Sequence, residues 1–135
     1  MSEMSIEYSG NFSTTVFSSQ GNKEVMTDAP KHNGGRGEKL SPTDLFAASL
    51  GSCILTILSM YAKKMEIPFD QAKARVVKTP SSTGSITSID VIIEYPARLT
   101  AEQKAKLETA ALHCPIHQCI HPDIKQTITI VERIG

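Results

Sequence analysis

Tryptophan is absent from this chain of 135 residues, and aromatic residues of any kind make up only 5% of it. The bulky side chains that usually fill a core are therefore scarce. Net charge is absent too, because fourteen basic and fourteen acidic residues cancel. Without a basic excess there is no electrostatic footprint for nucleic acid or an anionic membrane, and neither is expected as a partner. Met1 to Tyr8 is polar and alternating, with no charged n-region or apolar h-region of a secretory leader. A cytoplasmic location is expected. There, three cysteines read as reactive, metal-binding or plain buried thiols and not as a disulfide framework. Length leaves room for a single domain, residues 1–135, and no repeat, linker or low-complexity tract interrupts it.

What the chain does have is one long uncharged stretch. Ser41-Pro42-Thr43-Asp44 opens it as a helix start: a hydroxyl for a free backbone N–H, a proline with φ preset, and a carboxylate in the first turn. From Leu45 to Met60 no charge follows, so the helix, running to about Met65, has no solvated stripe and is expected to be buried on every side. Sixteen residues span roughly 24 Å, short of a bilayer core of roughly 30 Å. Ser49, Gly51, Ser52, Thr56 and Ser59 also interrupt the run, which reads as a core helix with the thiol of Cys53 in its middle. A helix needing cover all round, in a chain with few large side chains, points to a homodimer that shares its core.

Around that helix the periodicities are clear. Residues 3–9 and 12–18 alternate about the turn Gly10-Asn11, and 23–28 follows as a third strand, giving an antiparallel meander. Residues 29–40 form a polar, Gly-rich loop. After Pro68 ends the helix region, strands are predicted over 71–78 and 86–94, the latter rich in β-branched residues. Thr100 and Gln103 have capping-box spacing, and 100–113 reads as an amphipathic helix burying Ala101, Ala105, Leu107, Ala111 and Leu112. A final strand is predicted over 125–132. The order βββ-α-ββ-α-β is that of an α+β fold and not of a doubly wound sheet.

Two constellations can carry chemistry. Cys53 and Cys114 lie sixty-one residues apart, each at a helical element. A thiol that reduces a peroxide becomes a sulfenic acid, and a second thiol condenses with it before further oxidation becomes irreversible. The plainer reading makes Cys53 a small buried hydrophobe. The second constellation, His113, Cys114, His117, Cys119 and His121, offers atoms that zinc favours, but no second ligand pair lies elsewhere in the chain. Its plainer reading has Cys119 packing inward while the histidines cap a helix end or meet solvent, and a middle reading has His117 or His113 lining the thiol pocket. Arg75, Arg98, Lys63 and Lys64 read as solvated charge. Phe46, Leu50, Ile54, Ile57, Met60 and Tyr61 read as core or dimer interface.

The pattern Ser41-Pro42-x-Asp44-Leu45-Phe46-Ala47-Ala48-x-Leu50-Gly51-x-Cys53, coupled to Cys114-Pro115, resembles the OsmC/Ohr family of osmotically inducible and organic hydroperoxide resistance proteins. The resemblance covers nearly the whole chain, because the order of elements agrees as well. It implies an OsmC-like fold, antiparallel sheets around long buried central helices in an intertwined homodimer, with thiol peroxidase chemistry on organic hydroperoxides at the subunit interface. Cys53 matches the peroxidatic cysteine and Cys114 the resolving one. A dithiol of lipoyl or thioredoxin type would reopen the disulfide, and no metal, flavin or other cofactor is required. Active family members also place an arginine and a glutamate at the peroxidatic sulfur. In the hydroperoxide-resistance branch that glutamate lies ten residues before the cysteine, where this chain has Thr43. Other OsmC-like branches carry their acid one position later, which makes Asp44 the expected acidic partner and places this chain among them. No arginine occurs in residues 1–30, so Arg36 is the expected substitute as thiolate partner. Phe46, Leu50 and Ile54 are the expected walls of a pocket for an acyl hydroperoxide. The alternative is an OsmC-like dimer that binds a small ligand while Cys53 stays redox-silent.

Overall fold

Gly10, Asn11 and Phe12 all carry positive φ (85°, 56° and 63°), and this left-handed run folds the first strand back on the second. In a computed structural model that describes residues 1–133, β1 (Ser5–Gly10), β2 (Ser13–Phe17) and β3 (Lys23–Asp28) form the predicted antiparallel meander. The chain divides into two compact units, Met1–Phe46 and the remainder from Ala47 onward, where a single domain is expected.

The first unit buries polar groups. Its buried residues are Ser13, Thr15, Thr27, Asp28 and Ser41, while Ile6, Tyr8 and Phe12 are each at least 60% exposed. Asp28 is the anchor: its carboxylate accepts from the Ser13 hydroxyl and from the backbone N–H groups of Glu38 (3.0 Å) and Lys39 (2.9 Å). These bonds tie the Gly-rich loop 29–40 to the end of β3. Gly35 makes the tie feasible, because a Cβ there would lie 2.0 Å from the Ala29 carbonyl oxygen.

Helix α1 (Pro42–Lys64) starts as its sequence requires. Ser41 Oγ accepts from the Asp44 N–H at 3.1 Å, and Asp44 Oδ2 accepts from the Ser41 N–H at 3.0 Å, a reciprocal cap. Glu66, at φ 58°, turns the chain out of the helix. The expectation of burial on every side is not met. Leu50, Ile54, Leu58 and Ala62, spaced four apart, are fully buried, while Met60 is 55% exposed and Ser52, Thr56 and Ser59 face solvent. One chain covers one face only. By length and composition α1 also passes as a membrane-crossing helix, but the buried stripe makes it the core helix of the second unit.

That unit holds the hydrophobic core. Strand β5 (Ile86–Tyr95) is central, with Ile89, Val91, Ile93 and Tyr95 pointing inward at every second position. It pairs antiparallel with β4 (Lys73–Pro80) and parallel with β6 (Lys125–Glu132). The expectation of antiparallel sheets is therefore corrected here. The chain between β5 and β6 carries two helices, long enough to return β6 in the direction of β5. Helix α1 sits close on β4 because Gly51 lacks a side chain, and a Cβ there would meet Val76 Cγ2 at 2.5 Å. Helix α2 (Ala101–Ala111) carries the predicted capping box, with Gln103 N–H to Thr100 Oγ1 at 3.1 Å and Thr100 N–H to Gln103 Oε1 at 2.9 Å. Its buried face is Leu107, Ala110 and Ala111; Ala101, Ala105 and Leu112, expected inside, are exposed. A stripe built mostly of alanine carries too little apolar weight to fix which way the helix turns. A further one-turn helix, α3 (Pro115–Cys119), was absent from the predicted order.

Candidate active site

Cys53 lies well inside α1, beyond the free N–H groups of its first turn, and is half-buried. Cys114 lies at the junction of two helices. Its N–H closes the end of α2 on the Ala111 carbonyl (3.4 Å), and Pro115 then begins α3, with φ preset for a first helical residue. The Cys114 backbone is extended (φ −65°, ψ 123°), which aims its sulfur back over the new helix, where Sγ accepts the His117 N–H at 3.4 Å.

The fold brings these two thiols together. Cys114 is fully buried, and Cys53 packs against the same hydrophobic core, close enough to Cys114 to act on its ionisation. Burial, more than anything else, pushes the Cys114 thiol pKa up, and the Cys53 sulfur adds to it. The backbone N–H groups of His117 and Ile116 pull the other way. All three cysteines are free thiols, with Cys119 exposed at the end of α3. A disulfide between Cys53 and Cys114 would need their sulfurs to close to a bond of about 2.05 Å.

The histidines around Cys114 turn to separate partners. His117 Nδ1 meets Gln126 Oε1 at 2.6 Å, while Gln126 Nε2 donates to the His117 carbonyl at 3.1 Å. His113 Nδ1 meets the Tyr61 hydroxyl at 3.4 Å. His121 Nδ1 accepts the Asp123 N–H at 3.0 Å. Among the described residues no three His, Cys, Asp or Glu side chains converge as metal ligands, so the 113–121 cluster does not assemble a cage.

The other expected site residues have different surroundings. The Asp44 carboxylate caps α1 at Ser41. Arg36 is exposed in the loop; the Ser13 hydroxyl first, then the Lys39 and Glu38 N–H groups, and last the Arg36 charge hold the Asp28 carboxyl below the usual range. Leu50 and Ile54 are fully buried in the core and Phe46 is 43% exposed, so the three do not share one environment. A cleft of about 400 Å³ opens instead between α1 and α2, walled by Tyr61, Met65, Ala105, Ala110 and His113. One expectation for this cluster, that His117 or His113 lines the thiol pocket, meets a His117 N–H on Cys114 Sγ; the Gln126 amide, which touches His117, is the group that sequence reasoning passed over. A cysteine followed by proline is a cap signature, and Gln126 is a polar residue on the inward face of an alternating strand. Both signals are present in the sequence.

Two three-stranded sheets, one long central helix, and a thiol pair joining that helix to the turn before α3 define an OsmC-like α+β protein. Residues 35–129 match the family model described as OsmC-like protein, and the chain belongs to that family. A solved structure from Psychrobacter arcticus, a candidate osmotic-stress-induced and detoxification-response protein, is similar at 36% identity. It superposes with a TM-score of 0.91 over 97% of this chain and 96% of that one. An uncharacterised protein of Acinetobacter baylyi is 28% identical over 111 residues, 80% of this chain and 78% of its own length. An organic hydroperoxide resistance protein from Elizabethkingia anophelis, solved with thiocyanate bound, shares the fold at 22% identity and a TM-score of 0.74, covering 98% of this chain and 96% of that one.

Proposed function

We propose that this protein is a thiol-dependent peroxidase that reduces organic hydroperoxides in oxidative-stress defence in the cytoplasm. The observation that carries the reading is the proximity of Cys114 to Cys53, two free thiols remote in sequence. Cys53, the partly accessible sulfur, attacks the distal peroxide oxygen as thiolate; the O–O bond breaks and the alkoxide leaves as alcohol after taking a proton. Cys53 is then a sulfenic acid. The Cys114 sulfur attacks it, its proton leaves with the hydroxyl as water, and a Cys53–Cys114 disulfide remains. A dithiol of lipoyl or thioredoxin type reduces that bond by exchange.

The working unit in this reading is a homodimer. The first unit has no buried large hydrophobe among the described residues, and the open face of α1 carries no charge from Leu45 to Met60. A second copy supplies the missing cover for both.

The test is intact-mass analysis before and after one equivalent of cumene hydroperoxide. The parent is expected to lose about 2 Da as one disulfide forms, and Cys53→Ser to be unchanged. A parent that stays fully reduced would point to the redox-silent, ligand-binding reading instead.

A further inference from the structure

We propose that Gln126, on β6, is a positioning residue for Cys114: through His117 it fixes the one-turn helix whose first N–H groups face the Cys114 sulfur. The catalytic meaning of this rests on the peroxidase reading; the geometry does not.

A helix of five residues cannot hold itself, because the first turn fixes several residues for a single hydrogen bond. Something outside α3 has to keep it wound. Gln126 does so with both ends of its amide on one residue: Oε1 at 2.6 Å from His117 Nδ1, and Nε2 donating to the His117 carbonyl at 3.1 Å. The pairing also settles the amide's orientation. Turned over, its oxygen would face the His117 carbonyl oxygen, two acceptors together. Since Oε1 only accepts, the imidazole proton sits on Nδ1. The pair is part-buried, so each bond lost leaves a poorly hydrated group behind.

The held residue is the one that matters to the sulfur. The backbone N–H of His117 donates to Cys114 Sγ at 3.4 Å, and the Ile116 N–H contributes beside it. Neutral sulfur is a weak acceptor, whereas a thiolate is a strong one, so these bonds strengthen as Cys114 gives up its proton. They therefore act at the closing of the disulfide, when Cys114 attacks, and again when it leaves on reduction. They do not touch the first step at Cys53. Gln126 accordingly governs how often the Cys53 sulfenic acid is captured before a second peroxide reaches it.

Two measurements decide this. In a Cys53→Ser, Cys119→Ser background, Cys114 is the remaining thiol, and ultraviolet thiolate absorbance against pH reads its ionisation without any peroxide. Adding Gln126→Leu is expected to move that midpoint up by about one pH unit, or about tenfold less thiolate at a fixed pH below it. Gln126→Met, neutral and of similar length, removes both bonds with little change of volume and is expected to shift the midpoint as the leucine variant does; it decides the matter if the leucine variant does not fold. In the protein with all three cysteines, Gln126→Leu should leave the rate of Cys53 oxidation by cumene hydroperoxide unchanged. The fraction ending as sulfinate should rise about tenfold. An unmoved Cys114 midpoint in a folded Gln126 variant overturns the proposal. If the parent does not react with hydroperoxide, the peroxidase reading fails, while the absorbance arm still tests the clamp.

Discussion

The thiol of Cys114, fully buried before α3, lies near enough to Cys53, sixty-one residues earlier on the central helix, for Cys53 to raise its pKa. Burial and that proximity both favour the protonated Cys114. The pair therefore stores its second thiol as a neutral group within reach of the first.

The roles of the two sulfurs separate on mutation. Cys114→Ser should still consume the first equivalent of hydroperoxide, since Cys53 is intact. Turnover with a dithiol reductant should fall to background, and excess peroxide should add about 32 Da as Cys53 reaches the sulfinate. Mass spectrometry against peroxide dose reads this directly. A Cys114→Ser protein that turns over like the parent would remove the resolving role.

Asp28 links pH to the order of the loop that carries Arg36. The Ser13 hydroxyl, then the Lys39 and Glu38 N–H groups and the Arg36 charge, hold its folded pKa below the ordinary value. A depressed folded pKa means that the contribution to stability is fully present above the unfolded value of about 3.9. It is lost as pH falls through the lower, folded value. Asp28→Asn should abolish that acid-side dependence and speed amide hydrogen exchange across 29–40 at neutral pH. Unchanged exchange at Glu38 and Lys39 would contradict the anchoring role.

Gly51 should not tolerate a methyl group. Alanine gains roughly 1 kcal/mol over glycine in a helix interior. Here its Cβ would lie 2.5 Å from Val76 Cγ2 on β4, and overpacking of that kind costs about 1–3 kcal/mol. Net destabilisation is expected for Gly51→Ala in urea unfolding, with partial recovery when Val76→Ala is added. A Gly51→Ala protein more stable than the parent would mean that α1 does not seat on β4 this closely.

Local chemistry made much of this protein legible from residues alone. Ser41-Pro42-x-Asp44 predicted its own reciprocal cap, Thr100 with Gln103 did the same, and two-residue alternation located the six strands to within about two residues. These features depend on neighbours a few positions away, so the sequence contains their cause. Cys53 with Cys114 stood in the sequence as a weak constellation that a family pattern strengthened, because spacing along the chain says nothing about distance in space. The parallel direction of β6, the face that α2 turns inward, the one-sided burial of α1 and the grip of Gln126 on His117 were decided by tertiary packing. Each depends on which distant surface arrives opposite, and no periodicity in the segment itself encodes that.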